Sequence, residues 1–298
     1  MTRTIIIAGA TGSVGRALIK LARGRGYRTV ALGRNRARLE TCGADEVRVT
    51  DFTPGSLMGA IQAGDIVFSA LGASCSPSPF MGWKTYRMVD VPLNTALLNV
   101  ATKAGAARFM YVSLAFGREL RRHAFADAHE TVVDRVVASG LPYTILRPTG
   151  IFSTFRRLWG FAKLGVFPVP GKPDVKSNPI HEEDIAAAAL DSIDQPSTEL
   201  DLGGPEVFTR REMAQVMLRT AGRPRGIALW LPGWFHLLCA NLLWLASPRA
   251  GQMLKFYLVI SVFDNVVPTA GKQRLEDYYQ QKARQSPGII GGMHRSAW

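Results

Sequence analysis

Cysteine is scarce in this chain and badly placed for chemistry. Among its 298 residues, Cys42, Cys75 and Cys239 lie far apart and fit no metal or redox spacing, so a reducing cytoplasm is the expected setting. No repeat or low-complexity tract occurs, and 47% hydrophobic against 20% charged residues excludes a disordered polymer. The first β-branched run begins at Thr4, which leaves no room for a signal peptide. Carboxylates are few: 23 acidic residues stand against 36 basic ones, a formal charge of +13. Such a surface attracts phosphates and anionic lipid headgroups. No helix-turn-helix, zinc or RNA-binding pattern accompanies it, so specific nucleic-acid binding is not expected.

What is present starts at the N-terminus. Thr4-Ile5-Ile6-Ile7-Ala8 leads directly into Gly9-Ala10-Thr11-Gly12-Ser13-Val14-Gly15, and a helical pattern follows to Arg23. A strand, a glycine turn and a helix start are what a dinucleotide pyrophosphate requires. Glycine lets the backbone come close to the phosphates, and the helix N-terminus offers unpaired N–H groups with a partial positive charge. The second strand ends at Gly33-Arg34-Asn35, and no acidic residue occurs between Gly15 and Glu40. A site for NAD carries an acid here to bind the ribose hydroxyls; an arginine suits the 2′-phosphate of NADP(H).

Apolar runs alternate with helical patterns. Strands are predicted at Thr4–Ala8, Arg28–Leu32, Glu46–Val49, Ile66–Ala70, Arg108–Val112 and Tyr143–Arg147. Helices are predicted at Val14–Arg23, Gly55–Ala63, Tyr86–Lys103 and Asp127–Ser139. This order specifies an α/β fold, a Rossmann-type doubly wound parallel sheet, with its ligand beyond the carboxyl ends of the strands. Residues 1–150 are expected to form the NADP-binding domain. Residues 151–298 are expected to form a small, mainly helical C-terminal lobe interleaved with the last Rossmann elements. In that lobe Thr209 and Glu212 form a capping box that opens a helix to about Ala221. Ile227–Ala246 then runs for twenty residues without one charged side chain, and a second apolar run covers Phe256–Phe263. Two readings compete for it: a buried helix pair capping the substrate site, or an interfacial segment drawn to anionic lipid. Both are preferred to a membrane span, because Pro232-Gly233, His236 and Asn241 interrupt the run.

These residues, in this order, resemble the atypical short-chain dehydrogenase/reductases, in particular the branch similar to NmrA-like proteins and to the 39-kDa subunit of respiratory complex I. The resemblance covers most of the chain: Gly9–Arg16 (GATGSVGR), Gly33-Arg34, Asp51-Phe52, Ser69–Gly72 and Tyr111-Val112-Ser113. It continues through Ser139–Phe152, Asn178–Ala186, Leu202–Glu212 and Arg274–Tyr279. It implies that Gly9, Thr11, Gly12, Ser13, Val14 and Gly15 wrap the pyrophosphate and that Arg34 meets the 2′-phosphate. Asp51 and Phe52 are implied to border the adenine, Ala70, Leu71 and Gly72 the nicotinamide-side ribose, and Pro148 the nicotinamide pocket. His181 and Asp184 are implied to hold the lobe to the core rather than to bind a metal.

The sequence departs from the family at the catalytic signature, Ser followed by Tyr-x-x-x-Lys. Ser113 occupies the serine position, but the pair is Phe125-x-x-x-His129. Phenylalanine has no proton to give to a carbonyl oxygen as hydride arrives. His129 is one candidate donor and ribose ligand, against the plainer reading of a half-buried helix histidine. Tyr86, beside Lys84, is a second candidate, against a packing role. The third reading is that no chemistry occurs. The rigid turn Ser74–Pro79 is a candidate lid, with Cys75 in it read as structural. The leading expectation is an NADPH-dependent reductase that transfers hydride to a carbonyl or conjugated alkene of a hydrophobic small molecule. The alternative is a non-catalytic NADP(H)-binding regulator or accessory protein of a membrane complex, with contact through residues 227–263.

Overall fold

Ile5, Ile6, Ile7 and Ala8 are wholly buried because they lie between two cores. In the computed structural model, which describes residues 2–73 and 82–285, Ile6 and Ala8 pack into one hydrophobic cluster and Ile5 and Ile7 into another. A strand covered on both faces reads as a continuous apolar run for this reason. Burial of each isoleucine contributes roughly 1.5–3 kcal/mol. The first half of the chain forms β1 (Thr4–Ala8), α1 (Ser13–Gly24), β2 (Arg28–Gly33), α2 (Arg36–Glu40) and β3 (Glu46–Val49). It continues with β4 (Ile66–Ser69), α3 (Tyr86–Ala104), β5 (Arg108–Val112), α4 (Ala124–Ala138) and β6 (Tyr143–Pro148). After Gly150 come α5 (Arg156–Lys163), β7 (Val166–Pro170), β8 (Lys176–Ser177), α6 (Glu182–Asp191), β9 (Thr198–Leu202) and β10 (Phe208–Thr209). The last elements are α7 (Arg210–Thr220), β11 (Ile227–Leu231), α8 (Gly233–Ala246), α9 (Pro248–Val259) and α10 (Leu275–Gln285).

The central sheet has seven parallel strands in the order β3-β2-β1-β4-β5-β6-β9. This is a Rossmann-type α/β fold with a helical C-terminal region. Helices α1 and α6 supply Leu18, Ile19, Ile185 and Ala189 to one face. Helices α3, α4 and α9 supply Leu97, Val132, Met253 and Phe256 to the other. Strand β9 and helix α6 therefore return to the central sheet after Gly150. Strand β7 and helices α5, α7 and α10 share a core of their own, built on Phe152, Trp159, Met217 and Tyr279.

Three local expectations need correction. The predicted helix Gly55–Ala63 is a series of turns. Thr53 and Ser56 bond the Asp51 carboxylate instead of leaving the backbone free to coil, and Gly59 sits at φ +74°. Helix α4 begins at Ala124 rather than Asp127. The uncharged stretch is not a helix pair throughout: Ile227–Leu231 is a strand parallel to β7, and α8 is largely exposed. Helix α9 is buried instead against the sheet's own core, through Met253 and Phe256. No helix of the described residues is long and apolar enough to cross a membrane. The Ser74–Pro79 turn with Cys75 lies outside the described residues.

Candidate functional site

The glycine loop is shaped by contacts that leave no room for a side chain. Gly9 has φ +83°, and a Cβ there would lie 2.5 Å from the Ala70 carbonyl oxygen at the end of β4. A Cβ on Gly15 would fall 2.8 Å from Ala10 Cα, so the first turn of α1 sits directly on the loop. The Gly12 amide donates to the Gly9 carbonyl at 3.0 Å. Gly12 is the N-cap and makes no side-chain cap bond, and the first turn holds no acidic residue. The amides of Ser13, Val14 and Gly15 find no acceptor among the described residues. Unpaired N–H groups at an uncompensated positive helix end are a ready anion site, worth about 0.3–2 kcal/mol per charge from the dipole. Ser13 Oγ lies 2.9 Å from Ser153 Oγ, which brings the segment after β6 over the loop.

At the end of β2 the chain turns into α2, capped by Asn35, whose side chain accepts from the Arg38 amide at 3.0 Å. Leu39 anchors this short helix against Gly33, where a Cβ would stand 3.1 Å from Leu39 Cδ2. Arg34 and Arg38 are exposed and have no carboxylate partner among the described residues, while Arg36 faces Glu40 at 3.7 Å. Arg16 is spoken for: it donates to the Thr41 carbonyl at 2.6 Å and to its hydroxyl at 2.9 Å. Two guanidiniums just past the carboxyl end of β2 thus have no carboxylate partner among the described residues.

Beyond β3, Asp51 Oδ1 accepts from the Ser56 hydroxyl at 2.5 Å and from the Thr53 amide at 2.9 Å. These bonds, the Ser56 one foremost, hold its carboxyl down at about 2. Phe52, at φ 66°, turns its ring into the core. Its side chain is therefore unavailable to an adenine, and only its backbone remains at the edge.

The loop after β4 is pegged from behind by α3. Asn94 Nδ2 donates to the Leu71 carbonyl at 3.2 Å, and Ser69 Oγ donates to Asn94 Oδ1 at 2.5 Å. Asp90 Oδ1 accepts from the Ala73 amide at 2.7 Å. Burial pushes the Asp90 carboxyl up to about 6, against the opposing pull of the Ala73 amide and the Arg249 charge. Sequence reading missed Asp90 and Asn94. The available signal was two polar residues one helical turn apart on an otherwise apolar face.

At the ends of β5 and β6 the expected catalytic residues lie inside the wall. Ser113 is buried and donates to Glu130 Oε1 at 3.4 Å. Glu130 forms a two-pronged pair with Arg147, at 2.6 and 3.1 Å. Arg147 Nε also donates to Glu199 at 2.7 Å. His129 is buried, and its Nδ1 lies 2.8 Å from the Tyr111 hydroxyl. Desolvation, helped by Arg147, pushes its pKa down to about 4. His129 is thus neutral near pH 7 and holds no acidic proton to give. The Phe125 ring packs against Tyr86, His129 and Phe256 at centroid distances of 4.9, 4.8 and 4.9 Å. Tyr86 is wholly buried. Pro148, also buried, accepts from the Ala115 amide at 2.9 Å and closes the β6 end of the row.

His181 and Asp184 tie segments together. His181 Nδ1 caps α6 by accepting from the Glu183 amide, and Asp184 Oδ2 accepts from the amides of Lys272 and Gln273 at 3.0 and 3.1 Å.

The sequence profile of NAD(P)H-binding proteins matches residues 9–196, which contain the whole row of loops just described. The chain belongs to the NAD(P)H-binding family. The residues fit such a cofactor: a glycine cradle that a Cβ would fill, unpaired amides at a helix start, and those two cations past the carboxyl end of β2. This NAD(P)H-binding protein is 24% identical to the chloroplastic divinyl chlorophyllide a 8-vinyl-reductase of Zea mays, over 97% of the chain and 80% of that relative. Its fold is shared with the NADPH-dependent quinone oxidoreductase QOR2 of Escherichia coli complexed with NADPH. That match has TM-score 0.68 and 21% identity, covering 93% of this chain and 99% of the other. The triphenylmethane reductase of Citrobacter sp. superposes at TM-score 0.72 with 19% identity, covering 95% and 100%.

Proposed function

We propose that this protein is an NADPH-dependent reductase that passes hydride to a conjugated, electron-poor apolar molecule. One observation carries the choice of acceptor. Phe125, at the position of the usual proton donor, has no exchangeable proton and is packed among Tyr86, His129 and Phe256. A simple ketone needs a proton on oxygen as hydride arrives. A conjugated alkene, a quinone or a delocalised cation spreads the incoming charge over its own π-system and takes any proton later from water. The relatives are named for a vinyl group, a quinone and triphenylmethane dyes, all conjugated systems, which supports the same choice.

When bound, NADPH supplies the hydride. Gly9, Thr11, Gly12, Ser13, Val14 and Gly15 hold its pyrophosphate, and Arg34, unpaired among the described residues, meets the 2′-phosphate. Asp51 and the Phe52 backbone border the adenine, Ala70, Leu71 and Gly72 the second ribose, and Pro148 the nicotinamide. Ser113, buried in the wall, would meet the acceptor only by exchanging its long bond to Glu130. His129 acts on this row only through Tyr111. The lobe after Gly150, apart from α6 and β9, receives the substrate.

The test is NADPH oxidation by purified protein over a panel of quinones, conjugated enones and saturated ketones. Turnover with the first two classes and none with the third is expected. Arg34→Glu is expected to weaken NADPH binding about ten- to a hundredfold and leave NADH binding unchanged, as loss of a charge-assisted contact requires. Ketones as the better substrates would overturn the acceptor reading; equal loss for both cofactors would overturn the role of Arg34. A second reading, nucleotide binding without chemistry, draws on the same filled donor position. It is favoured if NADPH binds tightly and no acceptor turns over.

A further inference from the structure

We propose that the outward face of α8 docks this protein on the surface of an anionic lipid bilayer. The inference does not depend on the chemistry at the cofactor loop. Of the helix's residues only His236 and Ala240 are buried. Trp234, Leu238, Leu242 and Leu245 recur at helical spacing on the side away from the protein, with 69%, 48%, 58% and 61% of their surface exposed. An apolar face of this extent on a polypeptide surface marks a contact site rather than ordinary scatter.

The charge around it selects the occupant. From Met213 to Phe263 there is no Asp or Glu, while Arg219, Arg223, Arg225, Arg249 and Lys255 are present. The segment Ile151–Pro173, which meets this one where β7 pairs with β11, likewise holds no carboxylate. Arg219 pairs with Glu276 at 3.3 Å, whereas Arg223 and Arg225 are exposed and have no carboxylate partner among the described residues. An apolar face whose adjoining segments carry unpaired cations complements a hydrocarbon layer edged by anionic headgroups. A second copy of the chain would bring the same unbalanced cations against their own kind, which disfavours self-association through this face. Helix α8, of 14 residues, is about 21 Å long and too short to cross a bilayer core of about 30 Å, so it lies in the interface plane. Trp234 and Trp244 suit that depth, with an apolar ring and a polar N–H.

The experiment is co-sedimentation of the full chain with vesicles of phosphatidylcholine alone or mixed with phosphatidylglycerol. Binding to the mixed vesicles is expected, much weaker on phosphatidylcholine alone and reduced by salt. Leu238→Glu with Leu245→Glu is expected to weaken it roughly tenfold or more. Both positions are exposed, and unchanged circular dichroism and melting temperature would establish that the variant is folded. Arg223→Glu with Arg225→Glu is expected to remove the preference for phosphatidylglycerol. No sedimentation with mixed vesicles overturns the proposal, as does equal binding by the folded double-glutamate variant. Concentration-dependent dimers abolished by Leu238→Glu, without vesicle binding, would overturn it in favour of a second copy as the occupant.

Discussion

The hydroxyl of Tyr111 and the Nδ1 of His129 lie 2.8 Å apart inside the core, one at the end of β5 and the other in the middle of α4. Their bond makes the histidine part of the wall behind the site. It also gives the protein a titration of known sign. The folded-state pKa of His129 is depressed to about 4 from an ordinary 6.5. The unfolded chain therefore binds the extra proton between these values, and stability is lost as pH falls from about 6.5 to 4. The unfolding free energy of wild type minus that of His129→Gln should fall by about 3 kcal/mol as pH drops from 6.5 to 4. Chemical denaturation at stepped pH measures it; a flat difference would contradict the buried neutral ring.

Asp90 runs the opposite way. Its carboxyl is raised to about 6 by burial, so its contribution is fully present below about 3.8 and is lost as pH rises through 6. Asp90→Asn should therefore gain on wild type by up to about 3 kcal/mol between pH 4 and 7. The two contributions offset each other in wild type, and the variant differences separate them.

Glu130 and Arg147 form a buried pair, with side chains 1% and 7% exposed. Removing Glu130 leaves Arg147 with Glu199 as its one remaining carboxylate among the described residues, so Glu130→Ala should cost about 2–3 kcal/mol. Thermal melting of the purified variant checks this. A loss below 1 kcal/mol would mean that water reaches Arg147.

The loop itself is tested by Gly15→Ala. Its added methyl meets the Gly9 carbonyl and Ala10 Cα, backbone that cannot step aside without moving the loop. A loss of about 1–3 kcal/mol in stability is expected, together with weakened NADPH binding by calorimetry. Gly24→Ala, where a Cβ meets nothing within 4 Å, is the matched control and should leave binding unchanged.

Phe125→Tyr would restore the family's missing hydroxyl, but into an aromatic cluster already closed by Phe256. It should cost about 1–3 kcal/mol for an unsatisfied buried hydroxyl and give no increase in NADPH oxidation rate. A faster rate would mean that this position reaches the acceptor.

The site was legible in the sequence where local rules suffice. The β-branched run from Thr4, the glycines at 9, 12 and 15 and the arginine after Gly33 each state a backbone or charge requirement within a few residues. Helix 55–63 was misread because side-chain bonds to Asp51 compete with coiling, a contest that spacing does not reveal.

By itself, then, the sequence determined the parallel sheet and the glycine loop, since these follow from periodicity and glycine sterics, and the family resemblance marked Phe125 as a position without an O–H. Tertiary structure alone decided that Phe125 and His129 face a dry core and that α8 faces outward. Both outcomes depend on α9, more than a hundred residues further along, folding back onto α4, and desolvation is a property of what packs around a group rather than of its neighbours in the chain.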